Sequence, residues 1–172
     1  MTTSLYDLSV GCYLQTLGAA SGFLERGADH FRENNIDPDE VAQSRLFPDM
    51  LPFAFQVYCI SHHSLGAIEG VKAGVFGPPQ GPFPGYTGLQ ALITETLAKL
   101  KAISPDEING LSGKDVAFQM RDFKVPFTAE NFILSFSLPN FHFHATTAYD
   151  ILRTKGVPLG KRDYMGALRM KT

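Results

Sequence analysis

The stretch that decides the fold is TAENFILSFSLPNFHFHATTAYDILRTKG, residues 128–156. Phe132, Ile133, Phe136, Asn140, Phe143, His144, Thr147 and Ile151 recur in it at the three- and four-residue spacing of one helical face. Thr128 is placed to cap the start, and Gly156 followed by Pro158 supplies the stop. Pro139 lies inside this helix. A proline there removes one backbone hydrogen bond and predicts a kink.

Upstream the period changes. Val116, Phe118 and Met120 alternate with polar or small residues, Arg121-Asp122 can turn, and Phe123, Val125 and Phe127 alternate again. This predicts a β-hairpin over residues 116–127, which must pack on the helices because two strands alone are marginal. Leu89, Leu92, Ile93, Thr96, Leu97 and Leu100 predict a helix over 87–103, closed by Ser104-Pro105. Before it, residues 77–88 hold four glycines and four prolines, which excludes a helix or a central strand and predicts an ordered surface loop. These glycines lack the spacing of a phosphate-binding loop.

A second helix is predicted over 48–75, with Pro48 and Pro52 in its first turns and Phe53, Val57, Ile60, Ser64, Ala67 and Val71 on its inner face. Residues 37–47 read as a connector with room for one helical turn. The first helix spans 4–34, capped by Ser4 with Asp7 three residues on, and carries Leu17, Ala20, Leu24, Ala28 and Phe31 as its stripe. The whole reads as one domain over 1–172: an all-α, antiparallel four-helix bundle with a small β-hairpin before its last helix.

Composition narrows the function. A net charge of −2 gives no field able to hold a nucleic-acid backbone. The local excess of base from Arg153 onward fits compensation of a helix C-terminus. The two cysteines, Cys12 and Cys59, form no CxxC pair and indicate a reducing compartment. No signal peptide and no apolar run of membrane-spanning length are visible, so a cytoplasmic location is expected.

The chemistry-bearing residues are the five histidines. His30 near the end of the first helix is explained by the helix dipole. The other four cluster on helices two and four, and metal sites in bundles are built from inward side chains on facing helices. Helical phase turns His63 and His144 inward with Asn140 and Gln56, and rotates His62 and His142 about 100° away. His63, His144 and Asn140 are therefore the candidate metal ligands, with Gln56, His62 and His142 around them. Two imidazoles with amide oxygens and water could hold a divalent metal, zinc or nickel, although the set is poor for zinc. The plainer alternative is a pair of core histidines hydrogen-bonded to Asn140 or Gln56. Cys59, four residues before His63, is better explained as a buried thiol than as a nucleophile.

The segments Leu138-Pro-Asn-Phe-His-Phe-His-Ala-Thr-Thr-Ala-Tyr-Asp-Ile-Leu-Arg153, Gly156-Val-Pro-Leu-Gly-Lys161 and Asp163-Tyr-Met-Gly166 closely resemble the C-terminal signature of domain-of-unknown-function family 1993. Ser4-Leu-Tyr-Asp-Leu-Ser-Val10 and the region from Arg45-Leu-Phe-Pro-Asp-Met50 through Gln56-Val57 resemble the same family. That family is similar to the DinB/YfiT-like bundles, which include metal-dependent transferases and hydrolases acting with low-molecular-weight thiols. The resemblance implies an up-down-down-up bundle and a homodimer. It also implies a metal held by one histidine of helix two and an HxxxH pair of helix four. His144 matches the second histidine of that pair, Asn140 stands where the first belongs, and His62 or His63 lies near the helix-two position.

The expectation is therefore an uncharacterised DinB-like protein with a degenerate metal site, acting as a homodimeric module that binds a small molecule or a protein. The alternative is a metal-dependent thiol transferase or hydrolase with His63 and His144 as ligands. A purely structural dimerisation module would have no pocket between helices two and four.

Overall fold

A computed structural model describes residues 3–171. The chain is mostly helical and carries a small three-stranded sheet. Ser4 opens α1 (Leu5–Leu8) through the expected capping box: its hydroxyl accepts from the Asp7 amide, and the Asp7 carboxylate accepts from the Ser4 amide at 3.1 Å. The helix expected over 4–34 is broken once, at Ser9, whose backbone sits at φ −109°, ψ −86° before α2 (Val10–Glu33) resumes. The Ser9 hydroxyl donates to Leu5 O at 2.6 Å, beside the Ser9 amide at 3.0 Å, so the buried hydroxyl at the break has a partner. Asn34 and Asn35 end α2, Asn35 in the left-handed region at φ 54°. The connector does hold a helical turn, α3 (Pro38–Ala42), capped by Asp37.

The second helix starts later and ends earlier than its sequence suggests. Pro52 caps α4 (Phe53–Ser61), a π-helical turn follows at His62–Gly66, and α5 (Ala67–Ala73) completes the run. Gly74, at φ 78°, turns the chain out of the helix. Val75 and Phe76 then leave it altogether as strand β1 (Val75–Phe76). β1 pairs in parallel with β2 (Asp115–Met120), Val75 opposite Ala117 and Phe76 opposite Phe118. β2 pairs antiparallel with β3 (Phe123–Thr128), with Val116 opposite Phe127 and Met120 opposite Phe123. The hairpin is thus present, with a third strand in support. Its alternating face is buried only near its base: Val116 is enclosed, while Met120 and Phe123 at the tip are 47% and 57% exposed.

Helix α6 (Tyr86–Lys101) has no capping side chain of its own at Gly85. The Asp39 carboxylate does this from α3, accepting from the Tyr86 amide at 2.8 Å. A β-carbon at Gly85 would stand 2.5 Å from that oxygen, which accounts for the glycine. Ser104-Pro105 closes α6 and also opens a short helix not apparent in the sequence, α7 (Pro105–Asn109).

The last long run is α8 (Ala129–Phe132), a second π-helical turn at Ile133–Ser137, and α9 (Leu138–Thr154), followed by α10 (Lys161–Met165). Thr128 caps the start and Gly156, at φ 85°, makes the stop, both as expected. Pro139 falls at the beginning of the α-helical run that the π turn opens. Its missing amide costs little there, and the hydrogen-bond register changes before it.

In the core α2 packs on α6 and α9, and α4 on α6 and α9. Tyr13, Phe23, Phe31, Phe53, Phe132 and Phe141 are among its fully enclosed side chains. Tyr86 reaches across from α6 to donate to Leu24 O at 2.8 Å. It does so through the space left by Gly27, where a β-carbon would lie 2.3 Å from the Tyr86 hydroxyl.

Candidate functional site

The two π-helical turns lie on adjoining runs and meet through one serine. A π turn leaves carbonyls without their usual partners and widens the helix. Ser137, fully buried at the end of the second turn, donates its hydroxyl proton to His63 O in the first at 2.6 Å. That proton is then committed, so the Tyr13 hydroxyl, 2.7 Å from Ser137 Oγ, is the donor of the next bond. The chain Tyr13, Ser137, His63 O ties α2, the second π turn and the first π turn together with buried hydrogen bonds.

Between these runs lies a cavity of about 200 Å3. Its apolar wall is formed by Phe55, Phe76, Phe118 and Phe136, with Pro78 and Pro79 of the Pro/Gly-rich segment at one side. Its polar atoms come from Cys59, His62, His63, Asn140 and His144. No carboxylate, ammonium or guanidinium lines it.

His144 is buried on α9 and donates from Nδ1 to Gln56 Oε1 at 2.7 Å. The direction is fixed by Gln56, whose Nε2 is spent on Leu51 O at 2.8 Å and whose oxygen therefore accepts. The neutral ring consequently carries its proton on Nδ1 and leaves Nε2 as a bare acceptor. His63 stacks on His144, ring centroids 5.6 Å apart and planes 17° apart. Among the described residues, His63 Nδ1 is the one fully enclosed side-chain polar atom with no hydrogen-bond partner. An enclosed polar atom left this way costs about 1–3 kcal/mol.

Burial pushes the His63 imidazole down to about 3, with His62 and His144 adding to the effect. Burial, with a smaller contribution from His62, pushes His144 down to about 4. Both rings are uncharged at neutral pH. Cys59 is also neutral, its thiol raised to about 12 by burial, so it is no ready nucleophile beside His63.

The structure brings together His63, His144, Asn140, Gln56 and His62. Gln56 is the orienter of His144, and Asn140 uses its Nδ2 on Phe136 O at 2.7 Å, which leaves its carbonyl oxygen free. His62, expected around the pair although helical phase rotates it about 100° from His63, lines the same cavity. The π turn begins at His62 and lets consecutive side chains reach one space, a register that a regular 3.6-residue period does not contain. Its Nε2 donates to Gly77 O at 2.9 Å and anchors the Pro/Gly-rich segment. His142, also expected around the pair, does not join them. It faces a separate cavity with Cys12, Gln15, Thr16, Tyr164 and Met165, one helical face away on α9. Phe76 and Phe118 were not legible as site residues, because the pairing of β1 with β2 sets them side by side there.

The donor set does not fit a resident zinc or nickel ion. Among the described residues no group of three His, Cys, Asp or Glu side chains can hold one. His62, which donates Nε2–H to Gly77 O, forms no such group with the pair, and the amide of Asn140 is a weak ligand. Two imidazoles without a third strong donor or a carboxylate leave the ion's charge uncompensated in an apolar wall. What survives of a metal-type arrangement is the outer hydrogen bond from His144 to Gln56, which fixes the ring.

Residues 5–165 match the family described as a domain of unknown function, DUF1993. No curated protein matches the chain. A solved structure similar to it is the crystal structure of a DinB family member protein from Shewanella denitrificans, 25% identical, with a TM-score of 0.83 over 98% of this chain and 95% of that one.

Proposed function

The chain belongs to the DUF1993 family, and from that premise we propose that it is a DinB-like module that binds a small uncharged molecule in the His63–His144 cavity, without a metal. The observation that carries this is an aromatic cavity lined by His144, whose Nδ1–H is spent on Gln56 and whose Nε2 is left unpaired. A small molecule with a hydrogen to donate can supply that partner. The cavity is smaller than drug-sized pockets, which run from roughly 300 Å3 upward, so the ligand is small. A formal charge would have to be desolvated with no counter-charge to meet it.

The four long helical runs are taken as the antiparallel bundle expected from the sequence. The module is taken as a homodimer, with the 55% exposed Phe143 on α9 suited to a subunit contact. A thiol transferase or hydrolase would need a third metal ligand that the cavity does not supply.

The test uses full-length, untagged protein. Elemental analysis should find no stoichiometric zinc or nickel in the wild type or in His144→Ala. Backbone amide NMR spectra with a mixed set of small neutral compounds should show shifts confined to residues around 55–63, 76–79, 118 and 136–144. One equivalent of metal that is lost in His144→Ala, or shifts scattered over the surface, would contradict the proposal.

A further inference from the structure

The cavity has a polarity as well as a size. His144 Nδ1–H is committed to Gln56, which is itself held by Leu51 O, so His144 offers the cavity an acceptor at Nε2 and no donor. Asn140 offers its carbonyl oxygen as a second acceptor and keeps one amide N–H, the other being engaged by Phe136 O. His144 Nε2 is thus a group fixed as an acceptor alone. A ligand that pairs with it must bring an O–H or N–H of its own.

The apolar wall sets the rest of the molecule. Phe118 and Phe136 lie 4.9 Å apart with planes at 39°, and Phe76 meets Phe136 at 6.2 Å and 77°. Inclined rings of this kind receive a further flat ring in offset or edge-on contact. Imidazole edges contribute as well, Phe55 standing 5.6 Å and 76° from His144. A volume of about 200 Å3 equals roughly seven waters. That is room for a single ring with one substituent. The lining provides no charge to pair with an anion or a cation.

We infer that the ligand class of this cavity is a small neutral aromatic carrying one hydrogen-bond donor, a phenol or a ring N–H heterocycle, with its donor on His144 Nε2 and its ring among Phe76, Phe118 and Phe136. The inference rests on the binding proposal above and goes further by stating what is bound.

Four probes of similar size decide it, titrated into the full chain at pH 7 and followed by NMR: phenol, anisole, benzoate and benzylamine. Phenol should shift the cavity residues with an affinity about tenfold above that of anisole, the worth of one hydrogen bond. Benzoate and benzylamine should leave the cavity unshifted. In His144→Phe, which keeps an aromatic ring in place, phenol should fall to the level of anisole while anisole is unchanged. The wild-type comparison stands even where that variant fails to fold. Equal affinity of phenol and anisole at the cavity, or cavity binding of either charged probe, would overturn the ligand class and leave the pocket proposal standing. No cavity shift with any probe would overturn both.

Discussion

Replacing His63 by leucine should make this protein more stable, and more so in acid. The imidazole is 6% exposed, touches Phe76, Phe136 and His144, and has Nδ1 enclosed with no partner. Leucine is of similar volume and carries no polar atom, so the unmet hydrogen bond disappears at little packing cost. The gain expected at pH 7 is about 1–3 kcal/mol. For a chain of this length each kcal/mol raises Tm by roughly 2–4 °C.

The pH dependence has a definite sign. The unfolded imidazole takes up its proton below pH 6.5, whereas the native one stays neutral until about 3. Within that window the unfolded chain binds more protons, so the wild type loses stability as the pH falls. At about 1.4 kcal/mol for each pH unit below 6.5, His63 alone costs the wild type on the order of 2 kcal/mol at pH 5. His144 adds a loss of the same sign down to about 4, in both proteins. Urea unfolding of wild type and His63→Leu at pH 7 and pH 5 measures this directly. The advantage of the variant should widen by about 2 kcal/mol between the two. A variant less stable than wild type at pH 7, or an advantage that does not grow in acid, would refute the reasoning.

Other consequences follow from single contacts. Ser137→Ala should destabilise by about 1–3 kcal/mol in chemical denaturation, because it strands the Tyr13 hydroxyl and His63 O inside the core. Gly27→Ala should lower Tm, since the new methyl meets the Tyr86 hydroxyl and breaks its bond to Leu24 O; overpacking of this kind costs about 1–3 kcal/mol. With iodoacetamide at pH 7, native protein should be alkylated at the half-buried Cys12 and spared at Cys59, whose buried thiol stays protonated. Denatured protein should be alkylated at both, and equal native rates would contradict this.

Most of the helical frame was legible because its signals are local. The Ser4–Asp7 box, Thr128, Gly156 and the Arg121-Asp122 turn each act within a few residues and appear where the sequence puts them. Ser9 was missed because one residue out of phase does not disturb a 24-residue stripe. Phe76 was missed because β1 exists only through its pairing with β2, a contact across some 40 positions that no local pattern encodes. The His63–His144 pair and its Gln56 partner were readable from helical phase. His62 and His142 were both expected around that pair; the π turn brings His62 to its cavity, whereas His142 faces another. The free nitrogen of His63 could not be read from sequence at all, since it is defined by the absence of a neighbour.

The central claim is that His63 and His144 are a neutral, metal-free pair with His144 held as the Nδ1–H tautomer. Long-range 1H–15N spectra of the imidazole rings at pH 7, recorded before and after one equivalent of zinc, test it most directly. Both rings should read as neutral, His144 with its proton on Nδ1, and neither should shift with zinc. A protonated ring at pH 7, an Nε2–H tautomer at His144, or saturable shifts of both rings at one equivalent of zinc would contradict it.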